Sequence, residues 1–410
     1  MIQSAPFSVL RGHITLFTLN TAEFCMRTPE FVVPLLLVVA VGCTDRPAVT
    51  SAVAAAPQLS VSERPELREQ DAGAVFLMSN STVANAVIVY PRGRDGKLGA
   101  PTNYATGGRG TGGGLGNQYG LILDDERLAL YTVNAGSDEI TAFGVDGANM
   151  TFRQSVPSGG NQPISLALHD DLLYVLNDGA TANISGFRIG HNGRLTSLSG
   201  SARARSAPAG KVDGAQISFS PDGRTLVVTE KAANLIVTYP VLENGRTGEP
   251  RVLRSNGDTP FGFDFTRGGE LIVSEAFGGA VGASAVSSYS LTRASRLKLV
   301  SGSVANGESA VCWIATTRDG RFAIATNTNS NTINTYAVTR DGALTFVTGS
   351  VTATGMGPTD LALSRADRYL YVRNGGSNSI SILMRESDGS FTSLGTVDGL
   401  PKGANGMAAR

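Results

Sequence analysis

Residues 212–245 read VDGAQISFSPDGRTLVVTEKAANLIVTYPVLENG, three short apolar runs separated by turn chemistry. Ile217 and Phe219 alternate with small polar residues, the pattern of a half-buried strand. In Ser220-Pro221-Asp222-Gly223 the proline presets φ, the aspartate bonds the local backbone and the glycine tolerates positive φ, so the chain turns. Leu226-Val227-Val228 and Leu235-Ile236-Val237-Thr238-Tyr239 are the next two strands, and Glu243-Asn244-Gly245 is a second turn. The product is an antiparallel meander, and one meander cannot bury both of its faces.

The unit recurs. Later copies occupy 263–290, 314–342 and 361–389; earlier ones occupy 121–147 and 166–193. The first copy, at 74–96, starts late and lacks a preceding strand, while a partial copy at 403–409 closes the chain. A ring that shares one blade between its two termini requires that permutation. Seven copies at a period of roughly 40–55 residues predict an all-β, seven-bladed β-propeller whose N- and C-terminal strands lie in one blade.

The N-terminus is read apart from the fold. Residues 31–42 are an apolar run with Arg27 before it and small residues after it, the layout of a secretory signal. Met26 is the better start, because residues 1–25 would bury the charged region of such a signal. Ala40-Val41-Gly42-Cys43 resembles a bacterial lipoprotein box, which makes Cys43 the lipidation site; cleavage after Ala52-Val53-Ala54 is the alternative. Residues 1–43 are thus expected to be leader and signal, 44–70 a flexible tether and 71–410 the propeller. The protein is expected to be exported, either periplasmic or membrane-anchored through lipid, or else freely secreted.

Charged residues make up 17% of the chain and the net charge is zero, so nothing provides an electrostatic footprint for nucleic acid or anionic lipid. Of three cysteines only Cys312 falls in the repeat region, in the apolar Val311-Cys312-Trp313-Ile314, which reads as an inert buried thiol. Gly108-Arg109-Gly110-Thr111-Gly112-Gly113 fits G-x-G-x-x-G, but no helix follows, so it reads as a loop between blades that covers one face of the ring. His169 and His191 fall at turns. No metal set, catalytic triad or cofactor motif can be assembled. The chain is expected to act as a monomer.

One positional signal stands out. Just after the central apolar run each copy places a polar residue: Asn80, Asn134, Asn177, Glu230, Glu275, Asn327 and Asn374. Repeat geometry puts them on one circle. As a site, the ring would bind substrate through its five asparagines, with Glu275 and Glu230 catalytic. As architecture, the residues would cap the hairpin turns.

The repeated pattern in SFSPDGRTLVVTEKAANLIVTYPV and TTRDGRFAIATNTNSNTINTYAVTRDGAL resembles the bacterial lactonase family of seven-bladed propellers, which includes 6-phosphogluconolactonases and carboxymuconate cycloisomerases. The resemblance implies a lactone or sugar-acid substrate. It puts a histidine at Ala215 and Gly-Pro-Arg-His at Thr259-Pro260-Phe261-Gly262, so the histidines and the arginine are missing here, whereas Glu275 matches. The expected function is hydrolysis of an extracytoplasmic lactone through Glu275 or Glu230 as general base, with no cofactor. The alternative is a non-catalytic propeller that binds a sugar, peptide or protein. Lys231, Arg373 or Arg109 of the glycine-rich loop could supply the missing cation, but strand alternation turns Lys231 and Arg373 away from the Glu and Asn ring.

Overall fold

The computed structural model describes residues 72–180, 182–206 and 213–410. The leader, Cys43 and the tether lie outside them. The described residues form seven antiparallel sheets and no α-helix. In two sheets the outermost strand is broken, as where Leu195–Ser197 and Arg203–Ala204 both pair with Asn183–Ile189.

The inner strands are, from the first blade to the seventh, Asn405–Ala409, Leu121–Asp124, Pro163–His169, Gly214–Phe219, Pro260–Phe265, Val311–Thr316 and Pro358–Leu363. Each lies against the inner strands of the two neighbouring blades, which closes a ring around a central channel. Closure occurs where the permuted repeat requires it. Asn405–Ala409 pairs with Gly73–Met78, Val75 opposite Ala409 and Leu77 opposite Met407. Gly73–Met78 is thereby paired on both edges, and Asn405–Ala409 becomes the inner strand of the blade, its far edge turned to the channel.

The turn residues of the repeat join blades as well as strands. Buried tyrosines on second strands donate their hydroxyls to glycine carbonyls in a turn of the next blade: Tyr131 to Gly193 at 3.0 Å, Tyr174 to Gly245 at 2.8 Å and Tyr371 to Gly96 at 2.8 Å. A phenol buried in an apolar wedge needs such a partner. Inner-to-second and third-to-outer connections lie on one face of the ring, the turn face. Second-to-third and blade-to-blade connections lie on the other, the loop face.

The glycine-rich loop, residues 106–120, joins the first blade to the second. Its first half lies on the loop face, with Gly110 N–H donating to Ser81 O (2.7 Å) and Gly112 N–H to Asn80 O (2.8 Å). A Cβ on Gly110 would collide with the Asn80 backbone, so the glycine serves close packing of two chains. The second half descends into the channel. Gln118 Nε2 donates to Ile314 O (2.6 Å) and its Oε1 accepts from Ile314 N–H (3.2 Å), while its carbonyl accepts from Ser165 Oγ (2.7 Å) across the ring. Asn117 O accepts from the Trp313 indole N–H (2.8 Å). Residues 115–120 thus form a plug bonded to opposite blades.

Candidate functional site

The seven positions picked out by the repeat do occupy equivalent places. Asn134, Asn177, Glu230, Glu275, Asn327 and Asn374 end the second strands of six blades, and Asn80 follows Gly73–Met78 in the first. All seven are fully buried, at 0% exposure, and they point into the blades. Asn134 donates to Thr141 Oγ1 (2.9 Å), Asn177 to Asn183 Oδ1 (2.7 Å), Asn327 to Asn334 Oδ1 (2.8 Å) and Asn374 to Ser381 Oγ (3.0 Å), in each case on the adjoining third strand. Asn80 bonds the glycine-rich loop, accepting from Thr111 N–H (3.0 Å) and donating to Gly113 O (2.6 Å).

The two glutamates follow the same plan and do not converge on a channel mouth. Glu275 accepts from Gly257 N–H (2.7 Å), Ser287 Oγ (2.5 Å) and Ser303 Oγ (2.6 Å). Glu230 accepts from the Ser206 hydroxyl and lies 3.6 Å from Arg205 Nε. Burial raises the Glu230 pKa above the ordinary carboxylate value, against the opposing pull of Ser206 and Arg205. A carboxylate so enclosed ties the incoming blade-to-blade loop to its hairpin.

The residue after Glu230 faces the other way, as alternation requires, and that side is open. Lys231 extends into a loop-face cavity of about 570 Å³ lined by Asp213, Asp258, Phe261, Phe277 and Cys312. Its side chain is only 13% exposed. The ammonium donates to Gly214 O (2.7 Å) and Gly116 O of the plug (3.0 Å), pairs with Asp213 Oδ1 (2.8 Å) and lies 5.3 Å from the Phe261 ring centre. Asp213 is half exposed. Burial pushes the Cys312 thiol up to about 12, so it is an inert wall of the cavity.

The plug packs against two of the positions where the chain departs from the resembling family. A Cβ on Gly262, where the resemblance puts a histidine, would collide with Gln118 Oε1 and the Cys312 carbonyl. Ala215, where it puts another, offers its carbonyl to Gln118 N–H at 3.1 Å. Thr259 stands in the glycine position and holds φ at +57°. Among the described residues no group of histidine, cysteine and carboxylate side chains could hold a metal ion. The repeat points to Glu230 and Glu275; Lys231 enters the sequence reading only as a substitute cation turned away from the ring, and Phe261 and the plug occupy no repeated slot.

The family model described as Lactonase, 7-bladed beta-propeller matches residues 181–276 and 279–406, more than half of the chain. The chain belongs to this family. The fold of this lactonase-family propeller recurs in solved structures of low identity. One is a protein from Lactobacillus plantarum (20% identity, TM-score 0.66, 82% of this chain and 99% of that one). Another carries the name 6-phosphogluconolactonase, as a provisional assignment, in Bacteroides uniformis (16%, 0.66, 81% and 98%). A third is the periplasmic gluconolactonase PpgL of Pseudomonas aeruginosa (18%, 0.65, 82% and 99%). No curated protein matches the sequence.

Proposed function

We propose that this lactonase-family propeller is an exported hydrolase of a small lactone and that it works at the Lys231 cavity. The observation that carries the reading is a largely buried ammonium beside a displaceable carboxylate, on the face where the family's site residues are expected. Membership of the family supports the substrate class. The apolar run after Arg27 and the box ending at Cys43 support export.

In this reading the lactone ring lies on Phe261, and its carbonyl oxygen replaces Asp213 as an acceptor from Lys231 Nζ. The ammonium stabilises the oxyanion as it forms. Asp213, released from the lysine, takes a proton from water as the oxygen adds to the carbonyl carbon. The ring C–O bond then breaks and the leaving alkoxide takes up that proton, giving the hydroxy acid. Glu230 and Glu275 hold the surrounding loops and do not touch the substrate.

The test is hydrolysis of glucono-δ-lactone by the mature protein, followed by acid release. Lys231→Met should lower kcat/KM by about 100-fold or more. Glu275→Gln should leave it within a few-fold. Full activity in Lys231→Met would remove the reading. For export, mass spectrometry of the membrane fraction should find a lipidated N-terminal Cys43, and a cytosolic protein that retains Arg27 would refute it.

A further inference from the structure

The plug closes the channel from the loop face and leaves a second cavity, of about 390 Å³, at the turn-face mouth. Its walls are apolar inner-strand side chains, among them Leu121, Ala315, Leu363 and Met407. Its floor is Tyr119, the last side chain of the plug before Gly120, together with Asp264 and Thr316. We infer that this mouth is a second small-molecule site, one that takes a primary ammonium carried on a small apolar body.

Three observations converge on that chemistry. The first is the backbone of Tyr119, which holds φ at +61°, a region that bulky side chains rarely enter. The surrounding bonds enforce it, with Leu166 N–H donating to Tyr119 O at 2.9 Å. Strain held in this way marks functional positions, and here it delivers an aromatic ring and a phenol to the cavity floor.

The second is the charge pattern. The Tyr119 phenol lies beside Asp264, whose carboxylate accepts from Thr316 N–H (2.8 Å), Thr316 Oγ1 (2.9 Å) and Phe265 N–H (2.8 Å). Asp264 remains half-buried against the cavity. At the rim Arg318 and Asp367 neutralise each other, Arg318 N–H donating to Asp367 Oδ2 at 2.5 Å with the guanidinium 4.0 Å from Oδ1. Among the residues that line the cavity, Asp264 is the carboxylate with no ion-pair partner. Burial raises that carboxyl to about 6 against the pull of the Thr316 and Phe265 hydrogen bonds, and a cation bound beside it would favour the anion.

The third is the hydrogen-bond inventory. The Tyr119 phenol oxygen carries acceptor lone pairs at the cavity floor, and its ring offers a face to a cation. An ammonium is thus received by the Tyr119 oxygen and ring beside the Asp264 charge, while its apolar body lies on the inner-strand walls. A neutral alcohol of the same shape gains the walls without the charge.

The probe is benzylamine, titrated into the full chain by calorimetry, with benzyl alcohol as the neutral analogue. One saturable site per chain is expected, at least 10-fold tighter for the amine than for the alcohol. Asp264→Asn should weaken amine binding at least 10-fold. Ala315→Phe, which fills the cavity without touching the carboxylate, should abolish binding and covers the case in which Asp264→Asn does not fold. Lys231→Met should bind like wild type, which places the amine away from the loop-face cavity. The proposal is overturned by the absence of saturable binding, by equal affinity for amine and alcohol, or by wild-type titration in a folded Ala315→Phe. Loss of binding in Lys231→Met alone would assign the amine to the other face and overturn it equally.

Discussion

The two faces of the ring are built on different rules. On the turn face, three pairs of neighbouring blades are joined by one device: an Asp-Gly or Asn-Gly turn whose glycine carbonyl receives a tyrosine from the preceding blade. On the loop face, the seven strand-end residues repeat, but the connections between blades do not. One of them, residues 106–120, is long enough to cross the face and fill the channel. Glu230 and Lys231 show the contrast at single-residue scale. The first occupies a repeated slot and is sealed inside a blade; the second occupies none and reaches the cavity. In this propeller the repeated residues hold the ring, and those that depart from the repeat shape its surfaces.

The largest effect should come from breaking the repeat. Deleting residues 401–410 removes the inner strand of the first blade and uncovers Val75 and Leu77 along an open edge. A loss of more than about 5 kcal/mol is expected, seen as the disappearance of a cooperative thermal transition. A truncated protein that melts within a few degrees of the full chain would show that closure lies elsewhere.

The plug should matter next. Gln118→Ala leaves the Ile314 N–H and C=O without partners inside the channel. About 2–3 kcal/mol should be lost, measurable by urea unfolding with the fluorescence of Trp313, the single tryptophan, as the signal. A change below about 0.5 kcal/mol would mean that the plug is not packed as described.

A gradual effect, small per pH unit, is expected in the pH dependence. Asp360, on the inner strand of the seventh blade, is buried with its Oδ2 unpartnered, and burial raises its pKa to about 8. Because the folded value lies above the unfolded one, its contribution to stability is full below about pH 4 and is lost as pH rises through 8. Between those limits stability should fall by on the order of 1 kcal/mol per pH unit from this group. Asp360→Asn should flatten the dependence of the urea midpoint between pH 5 and pH 8. An unchanged slope would show that the carboxyl is compensated, with Arg373 the nearest source of charge.

The ring was legible in the sequence because its signals recur: turn glycines, alternating apolar runs and the displaced copy at 403–409 each point to the same closure. The family followed from the same repeats. The site was less legible for the same reason. A residue that recurs in seven blades draws attention as a ring of polar groups, yet recurrence is what hairpin-capping architecture produces. Strand alternation correctly set Lys231 opposite Glu230, but periodicity cannot say which side faces the cavity. The missing side chains at Ala215 and Gly262 could be read as losses, but only the fold shows that Gln118 fills the space beside Gly262 and bonds the Ala215 backbone. The length and glycine content of residues 106–120 were the available hints of a loop crossing the face, and nothing in them foretold that residues 115–120 would enter the channel.

The most direct measurement is a crystal soaked with gluconate, the product of the lactone used as the test substrate. Density should lie in the loop-face cavity, with the carboxylate within hydrogen-bond distance of Lys231 Nζ and the carbon chain over Phe261. Glu230 and Glu275 should keep their bonds to Ser206 and Ser287 and touch no ligand atom. Gluconate bound against Glu275, or to no part of the loop face, would contradict the assignment of Lys231 as the centre of the site.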